Sequence, residues 1–401
     1  MKASVVAVAV LVGLLICEVF LRAVGYTYPV FYAPDPELGY VLRPGAAGWY
    51  RKEGAAYVRV NSQGLRDREH AREKPPGVVR IALVGDSYAE ALQVAQEAAF
   101  WSVMERDLRG CGAFDGREVE VINFGVSGYG TAQELLTLRR KVWAYSPDIV
   151  LLAVTTNNDI TDNSRALKRT DEVPYFVFRD GRLVLDDSFR TSRAFTLRQS
   201  APNRAGRWVR DHVRVIQAIH QSHGAIKSAI AAWRARRDAG EAKKADDARG
   251  DEAKATVPEE PGTDNLVYRE PAGEVWREAW RVTEALIARM REETESGGAK
   301  FVAVTMSNAI QVHPHAAARE HFMRRLGVET LFYPDLRLKA LGEREGFTVI
   351  NLAPELQLYA EQHQVFLHGF APDIGNGHWN ERGHAVAGEL LARRLCESAP
   401  R

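Results

Sequence analysis

From Val5 to Cys17 the chain is uninterruptedly apolar; Glu18 breaks the run, which then resumes to Leu21. A helix built on this stretch is apolar on every face, unlike the one-sided stripe of a helix lying on a folded domain. The run is short against the about 20 residues a bilayer core demands. Reaching Glu18 and Arg22 out to the interface lengthens it enough. No pair of small residues suited to cleavage follows, and Ile16 stands where a lipobox before Cys17 needs Gly, Ala or Ser. An uncleaved membrane anchor within residues 1–25, crossing the cytoplasmic membrane through residues 4–21, is therefore expected. A cleaved signal and a cytoplasmic protein with an unusual terminus are the alternatives. Lys2 and the free amine favour the N-terminus inside and the bulk of the chain outside.

Residues 26–75 are rich in Pro, Gly and Tyr, with one short alternating stretch from Ala56 to Val60. They predict an irregular arm holding a small strand or two, with an ordinary turn over Asn61–Asp67. The pattern then becomes regular. Val78–Val84 (VVRIALV) is a continuous β-branched and apolar run suited to a central parallel strand. A helical pattern follows from Ser87 through about Leu108. A second strand, Val119–Phe124, precedes a helix from about Ala132 to Trp143, and a third spans Asp148–Val154. After Asn163 the chain is mixed and polar to about Ser200, then helical in pattern from Val209 to Arg237. Residues 234–262 are dominated by Ala, Lys, Arg, Asp and Glu. That composition cannot bury enough apolar area to offset ordering, so a mobile segment within a 163–265 insertion is expected, a charged helical hairpin being the competing reading. Regularity returns with Trp276, Trp280, Thr283 and Ile287 on one helical face. Strands follow at Phe301–Met306 and Phe347–Leu352, and a last helix runs from about Asn380 to Arg394. Strands alternating with helices predict right-handed crossovers and a five-stranded parallel sheet in an α/β domain over 76–401.

The chain has 401 residues, 46% of them hydrophobic, which is enough for a substantial core. Its 53 basic and 52 acidic residues nearly cancel, so no global field draws nucleic acid, and no nucleic-acid partner is expected. Three cysteines exclude a disulfide scaffold and cysteine-rich metal sites. His313, His315 and His321 cluster in sequence but lack a ligand pattern, so neither metal nor cofactor is expected.

Candidate chemistry gathers at the strand ends. Ser87 directly follows the first strand and opens a helix, where free N–H groups can stabilise an alkoxide or oxyanion; a plain N-cap would also place a serine there. Gly128 closes the turn after the second strand, and a glycine lets the backbone offer its N–H to an incoming oxygen. Asn158 follows the third strand. A serine hydroxyl needs a base, and of eleven histidines His378, after the last strand and beside the last helix, is the candidate. His384, farther along that helix, more naturally packs or caps.

Gly85-Asp86-Ser87, Gly128, Asn158-Asp159 and His378 together resemble the four signature blocks of the SGNH hydrolases, or GDSL esterase/lipase superfamily. They occur in the family's order and after the strands where that fold places them. The resemblance implies a three-layer α/β/α, flavodoxin-like domain. It implies Ser87 as nucleophile and first oxyanion donor, Gly128 and Asn158 as further donors, and His378 as base. The anchor, the Asn61–Asp67 segment, Trp276–Trp280 and His378-Trp-Asn are similar to membrane-anchored bacterial members, several of which act in cell-surface polysaccharide pathways. The third block departs from the family in reading Thr156-Asn-Asn-Asp159, and Tyr88 replaces the usual leucine. The family's Asp-x-x-His would put an aspartate at 375, but Gly375 stands there. Asp373 is the expected substitute as orienting acid; a Ser–His dyad is the other possibility.

The expected function is a serine-dependent esterase that removes O-acyl groups, acetyl foremost, from a cell-surface carbohydrate. An O-acyltransferase using the same residues, a lipid or small-ester hydrolase, and a non-catalytic surface or assembly protein are the alternatives. The insertion is polar and charged rather than a long apolar lid, which disfavours a general lipase. In the strand order 2-1-3-4-5 the helices after strands one and five lie side by side. Their C-terminal ends should meet at the edge opposite the candidate site, so Cys111 and Cys396, which follow them, are candidates for a disulfide; two unrelated thiols are the other reading, and the sequence leaves the choice open.

Overall fold

Residues 2–222 and 265–398 are described by a computed structural model. Among them, 2–30, 47–49 and 200–222 form one compact unit, and 31–46, 50–199 and 265–398 form the other. The expected mobile segment at 234–262 lies outside the described residues.

The larger unit is an α/β/α sandwich around one parallel sheet. Its strands are β1 (Val78–Gly85), β2 (Glu118–Asn123), β3 (Ile149–Thr155), β4 (Lys300–Met306) and β5 (Thr348–Asn351), in the spatial order β2-β1-β3-β4-β5. Register is continuous across the centre: Ile81 lies beside Val121 and Ile149, and Val304 beside Ala153 and Ile350. β1 and β3 are buried almost throughout, as continuous apolar runs flanked by helices on both faces must be. The one charge inside β1, Arg80, is buried but satisfied. It bonds Glu120 at 2.5 Å and the carbonyls of Ala71, Arg72 and Tyr145, tying the preceding segment to the sheet.

The helix expected from Ser87 to Leu108 is broken. It forms one turn, Ser87–Glu90, ends at Ala91 in the left-handed region (φ 52°), and restarts as Phe100–Leu108. Where the helix stops, the Ala89 carbonyl is taken by the Trp101 indole and the Asn123 amide, both at 2.9 Å. Every buried backbone acceptor needs such a partner. Phe100–Leu108 packs on the last helix, Glu381–Ser398, at Gly388, where an added Cβ would come within 2.5 Å of the Phe100 carbonyl. At the ends of these two helices Cys111 and Cys396 are joined, their Cα atoms 5.9 Å apart.

Residues 31–46 and 50–75 belong to the sheet's own unit and carry real structure. Tyr32–Asp35 and Gly39–Leu42 form an antiparallel hairpin, whose turn is closed by the Asp35 carboxylate accepting the Glu37 and Leu38 N–H groups at 2.9 Å. Leu38, Leu42, Val58 and Val60 build a second core with Leu92, Val126 and Tyr129. The turn over Asn61–Asp67 is not a surface feature: Asn61, Arg66 and Asp67 are buried, and Asp67 accepts the Asn123 N–H at the end of β2.

The stretch after Asn163, mixed and polar in sequence, holds regular structure. Tyr175–Arg179 and Arg182–Asp186 pair as a hairpin around Asp180-Gly181, both at positive φ. This is the dipeptide that two-residue hairpin turns favour. The helix Glu274–Ser296 buries Trp276, Trp280, Thr283 and Ile287, the face expected of it.

In the smaller unit a helix spans Lys2–Ala23; its Ser4–Ala23 stretch is long and apolar enough to cross a membrane, and none of its residues is buried. Glu18 does not simply reach for solvent. It pairs with Arg22 and accepts the Val215 N–H at 3.0 Å, while Arg22 donates to the His212 carbonyl. The helical pattern expected from Val209 is interrupted: a helix over Ala201–His212 ends at an extended Val213, and helix resumes over 214–222.

Candidate active site

β1 delivers Asp86 and Ser87 to the carboxyl end of the sheet, where open α/β sheets bind ligands. Asp86, not Ser87, caps the following turn: its carboxylate accepts the Tyr88 N–H at 3.0 Å. It also accepts the Thr155 hydroxyl at 2.9 Å and the Asn158 amide at 3.2 Å. Burial pushes the Asp86 carboxyl above its ordinary range, and these donors act against that rise. The serine is thereby left to turn its hydroxyl elsewhere.

That direction is His378. Its Nε2 lies 2.8 Å from Ser87 Oγ. Its Nδ1 lies 2.6 Å from a carboxylate oxygen, and the carboxylate belongs to Glu53. The other Glu53 oxygen accepts the backbone N–H of His378, also at 2.6 Å, so one carboxylate grips the histidine at ring and backbone together. Burial alone would raise the Glu53 carboxyl, but the His378 ring, its backbone N–H and Gln93 hold it below its ordinary value. A carboxylate bonded to Nδ1–H leaves Nε2 unprotonated and facing the hydroxyl, the tautomer a general base needs.

The structure does not bring Asp373, the expected orienting acid, to His378. Asp373 is exposed and accepts the Asn376 amide at 2.8 Å. The 368–378 loop disfavours an aspartate at 375, because Gly375 has φ +92° and an added Cβ would press on the Phe366 ring at 3.0 Å. The same loop is shaped to admit Glu53: a Cβ on Gly377 would lie 2.3 Å from Glu53 Oε1. Glu53 comes from a bend between the strands Ala47–Tyr50 and Ala56–Arg59, about 325 residues before its partner. No spacing motif links the two. The only hint in the sequence was negative, a histidine whose usual acid position is a glycine.

Gly128 lies on the loop after β2, and its φ of +75° explains the glycine; a Cβ there would meet the Tyr40 hydroxyl at 2.6 Å. The 31–46 segment and a buried acid hold this loop. Tyr40 donates to the Ser127 carbonyl at 2.8 Å, Glu90 accepts the Ser127 N–H at 2.6 Å, and Lys168 donates to the Gly128 carbonyl at 2.6 Å. Asn158 is tied to the site by its bond to Asp86. Behind His378 the buried His368 bridges the Gly377 carbonyl (2.7 Å) and the Ser307 hydroxyl (3.1 Å), and the Trp379 indole donates to that same hydroxyl. Burial drives His368 down to about 4, so it stays neutral at physiological pH. His384 is buried within the fold, beside Phe100.

A hydroxyl, an imidazole and a carboxylate in hydrogen-bonded series can generate an alkoxide-like nucleophile at neutral pH. The imidazole and carboxylate side chains are each about one-quarter exposed, so the series opens to solvent.

No family model and no curated protein matches this chain. Solved structures do. An acetyl xylan esterase, AlAXEase, aligns at 12% identity and a TM-score of 0.40, covering 79% of this chain and all of its own. A putative lipolytic protein of the G-D-S-L family from Desulfitobacterium hafniense aligns at 11% and 0.36, covering 79% and 98%. A catalytic mutant of Axe2, an acetylxylan esterase from Geobacillus stearothermophilus, aligns at 11% and 0.38, covering 79% and 94%. Likenesses this distant carry no chemistry across. A functional reading of this chain rests on its own side-chain geometry.

Proposed function

We propose that this chain is a membrane-anchored serine esterase that removes O-acyl groups, acetyl foremost, from a cell-surface carbohydrate through an acyl-serine intermediate. The observation that carries the reading is the continuous Glu53–His378–Ser87 series. In the cycle, His378 Nε2 takes the Ser87 proton as Oγ adds to the ester carbonyl. Negative charge develops on the carbonyl oxygen, and the Ser87 N–H, the Gly128 N–H and the Asn158 amide are its assigned donors. Collapse breaks the C–O bond to the sugar, which leaves with the proton held by His378. Water then attacks the acyl-serine with His378 again as base, and the acid leaves. Glu53 stays ionised throughout, fixing the tautomer and stabilising the imidazolium. The helix Ser4–Ala23 serves as the anchor, with the α/β unit outside the cytoplasm.

The test is covalent labelling with a fluorophosphonate, followed by product analysis on acetylated glycans. Labelling of the parent and its loss in Ser87→Ala are expected, with acetate released. Because Asp86 rather than Ser87 is the helix cap, that variant keeps its cap and should lose no more than about 1.5 kcal/mol of stability, the scale of one hydrogen bond. Folded parent protein that takes no label would overturn the assignment. Acetyl found on a second glycan instead of as acetate would make a sugar hydroxyl, not water, the acceptor.

A further inference from the structure

The helix Ala201–His212 is inside out. Its apolar residues, Ala201, Ala205, Trp208 and Val209, recur at helical spacing and form one stripe. That stripe faces solvent: Trp208 is 60% exposed and Val209 36%. Arg207, Arg210 and Asp211, from the polar side, are half-buried. The pattern continues past the break at Val213, with Ile219 60% exposed and Ile216 36%, while the polar Gln217 is buried and accepts the Tyr28 N–H. A soluble surface gains nothing from this orientation.

We infer that 201–222 lies in the membrane interface, with its Trp208–Ile219 stripe against the lipid of a bilayer carrying anionic headgroups. This rests on reading Lys2–Ala23 as a retained anchor. The position follows from the hydrogen bonds. Glu18 holds the Val215 N–H and Arg22 the His212 carbonyl. At 1.5 Å per residue, Glu18 is about 7.5 Å and Arg22 about 1.5 Å from the helix end at Ala23. The headgroup layer on each side of the hydrocarbon is only about 5–7 Å thick. The break at Val213 is therefore held at the depth where the span leaves the hydrocarbon. Tyr26 and Tyr28, in ring contact at 4.7 Å, sit at the same exit, where aromatic residues anchor spans. Arg204, Arg207, Arg210 and Arg214 against Asp211 give the segment a net positive charge, matched to anionic headgroups.

The test places a spin label by Ile219→Cys in the full chain, with Cys17→Ser removing the one free thiol among the described residues. Matched labels go in at Leu11→Cys inside the anchor and at the exposed Leu358→Cys on the α/β unit. The protein is reconstituted into vesicles of phosphatidylcholine with phosphatidylglycerol. Collision rates with oxygen, which concentrates in lipid, and with a water-soluble nickel chelate are then compared. At position 219 the oxygen-to-nickel ratio should exceed that at 358 severalfold, and should fall when phosphatidylglycerol is left out. A ratio equal to that at 358 overturns the inference while a high ratio at 11 leaves the anchor standing. Shielding from both reagents also overturns it, since a protein partner or a second copy would then cover the stripe. A low ratio at 11 as well removes the anchor and the inference with it.

Discussion

Replacing Glu53 by Gln tests the active-site assignment at the point where it departs most from the sequence. The carboxylate makes two acceptor contacts with one residue, to His378 Nδ1 and to the His378 backbone N–H, both at 2.6 Å. A carboxamide has one acceptor oxygen and one NH2. If the oxygen keeps the backbone N–H, the NH2 faces Nδ1 and forces the proton onto Nε2, where it blocks acceptance from Ser87. If the oxygen turns to Nδ1–H, the NH2 opposes the backbone N–H, at about 1–3 kcal/mol for the unmatched donors. Either arrangement removes the negative charge that stabilises the imidazolium. We expect kcat/KM for a chromogenic acetyl ester to fall about 10²–10⁴-fold, or about 3–5.5 kcal/mol of transition-state stabilisation. The floor is expected because the proposed oxyanion donors are untouched by this substitution. The matched control is Asp373→Ala, which loses only the exposed contact to Asn376 and should stay within about threefold of the parent. Steady-state kinetics on both variants, with melting curves to show that each is folded, decide the matter. A fully active Glu53→Gln beside an inactive Asp373→Ala would refute the assignment.

Asn158→Ala should lower turnover by roughly 10²–10³, the scale of a lost oxyanion donor, with KM little changed in the same assay. Cys396→Ser opens a loop of 285 residues and should cost up to about 5 kcal/mol of stability, read as a lower denaturant midpoint, with the active-site label unaffected. His70 lies between Asp67 and Glu120, at 3.0 and 2.7 Å; burial lowers its pKa, but the two acids more than reverse this, to about 9. Because the folded value is the higher one, its stabilising effect is complete below about pH 6.5 and is lost as the pH rises through 9. Denaturant titrations across pH 6–10 should show that decline in the parent and a flatter profile in His70→Gln.

The centre of the sheet is legible because β1, β3 and β4 are nearly continuous apolar runs, and burial on both faces leaves such a run few other structures. Ser87 and His378 could be found for a related reason: each sits where the pattern changes from strand or loop to helix, which places it at one edge of the sheet. The hairpin at 175–186 carries an equally local signal, Asp180-Gly181 between two β-prone stretches, set in polar surroundings.

Glu53 was of another kind. The chain determines that a histidine base calls for an acid and that position 375 holds a glycine, not an aspartate. It contains nothing local that selects a glutamate in the 51–54 bend, because the selecting contact, a carboxylate fitted against Gly377, exists only after distant segments meet. The orientation of 201–222 divides in the same way. Its apolar stripe is written at helical spacing, and periodicity alone would turn that stripe toward the interior. Only the folded structure shows it facing outward, because Gln217 spends its hydrogen bonds on the inner side and the end of the first helix holds the break at Val213. Local pattern decides what a segment becomes, and tertiary contact decides what it faces.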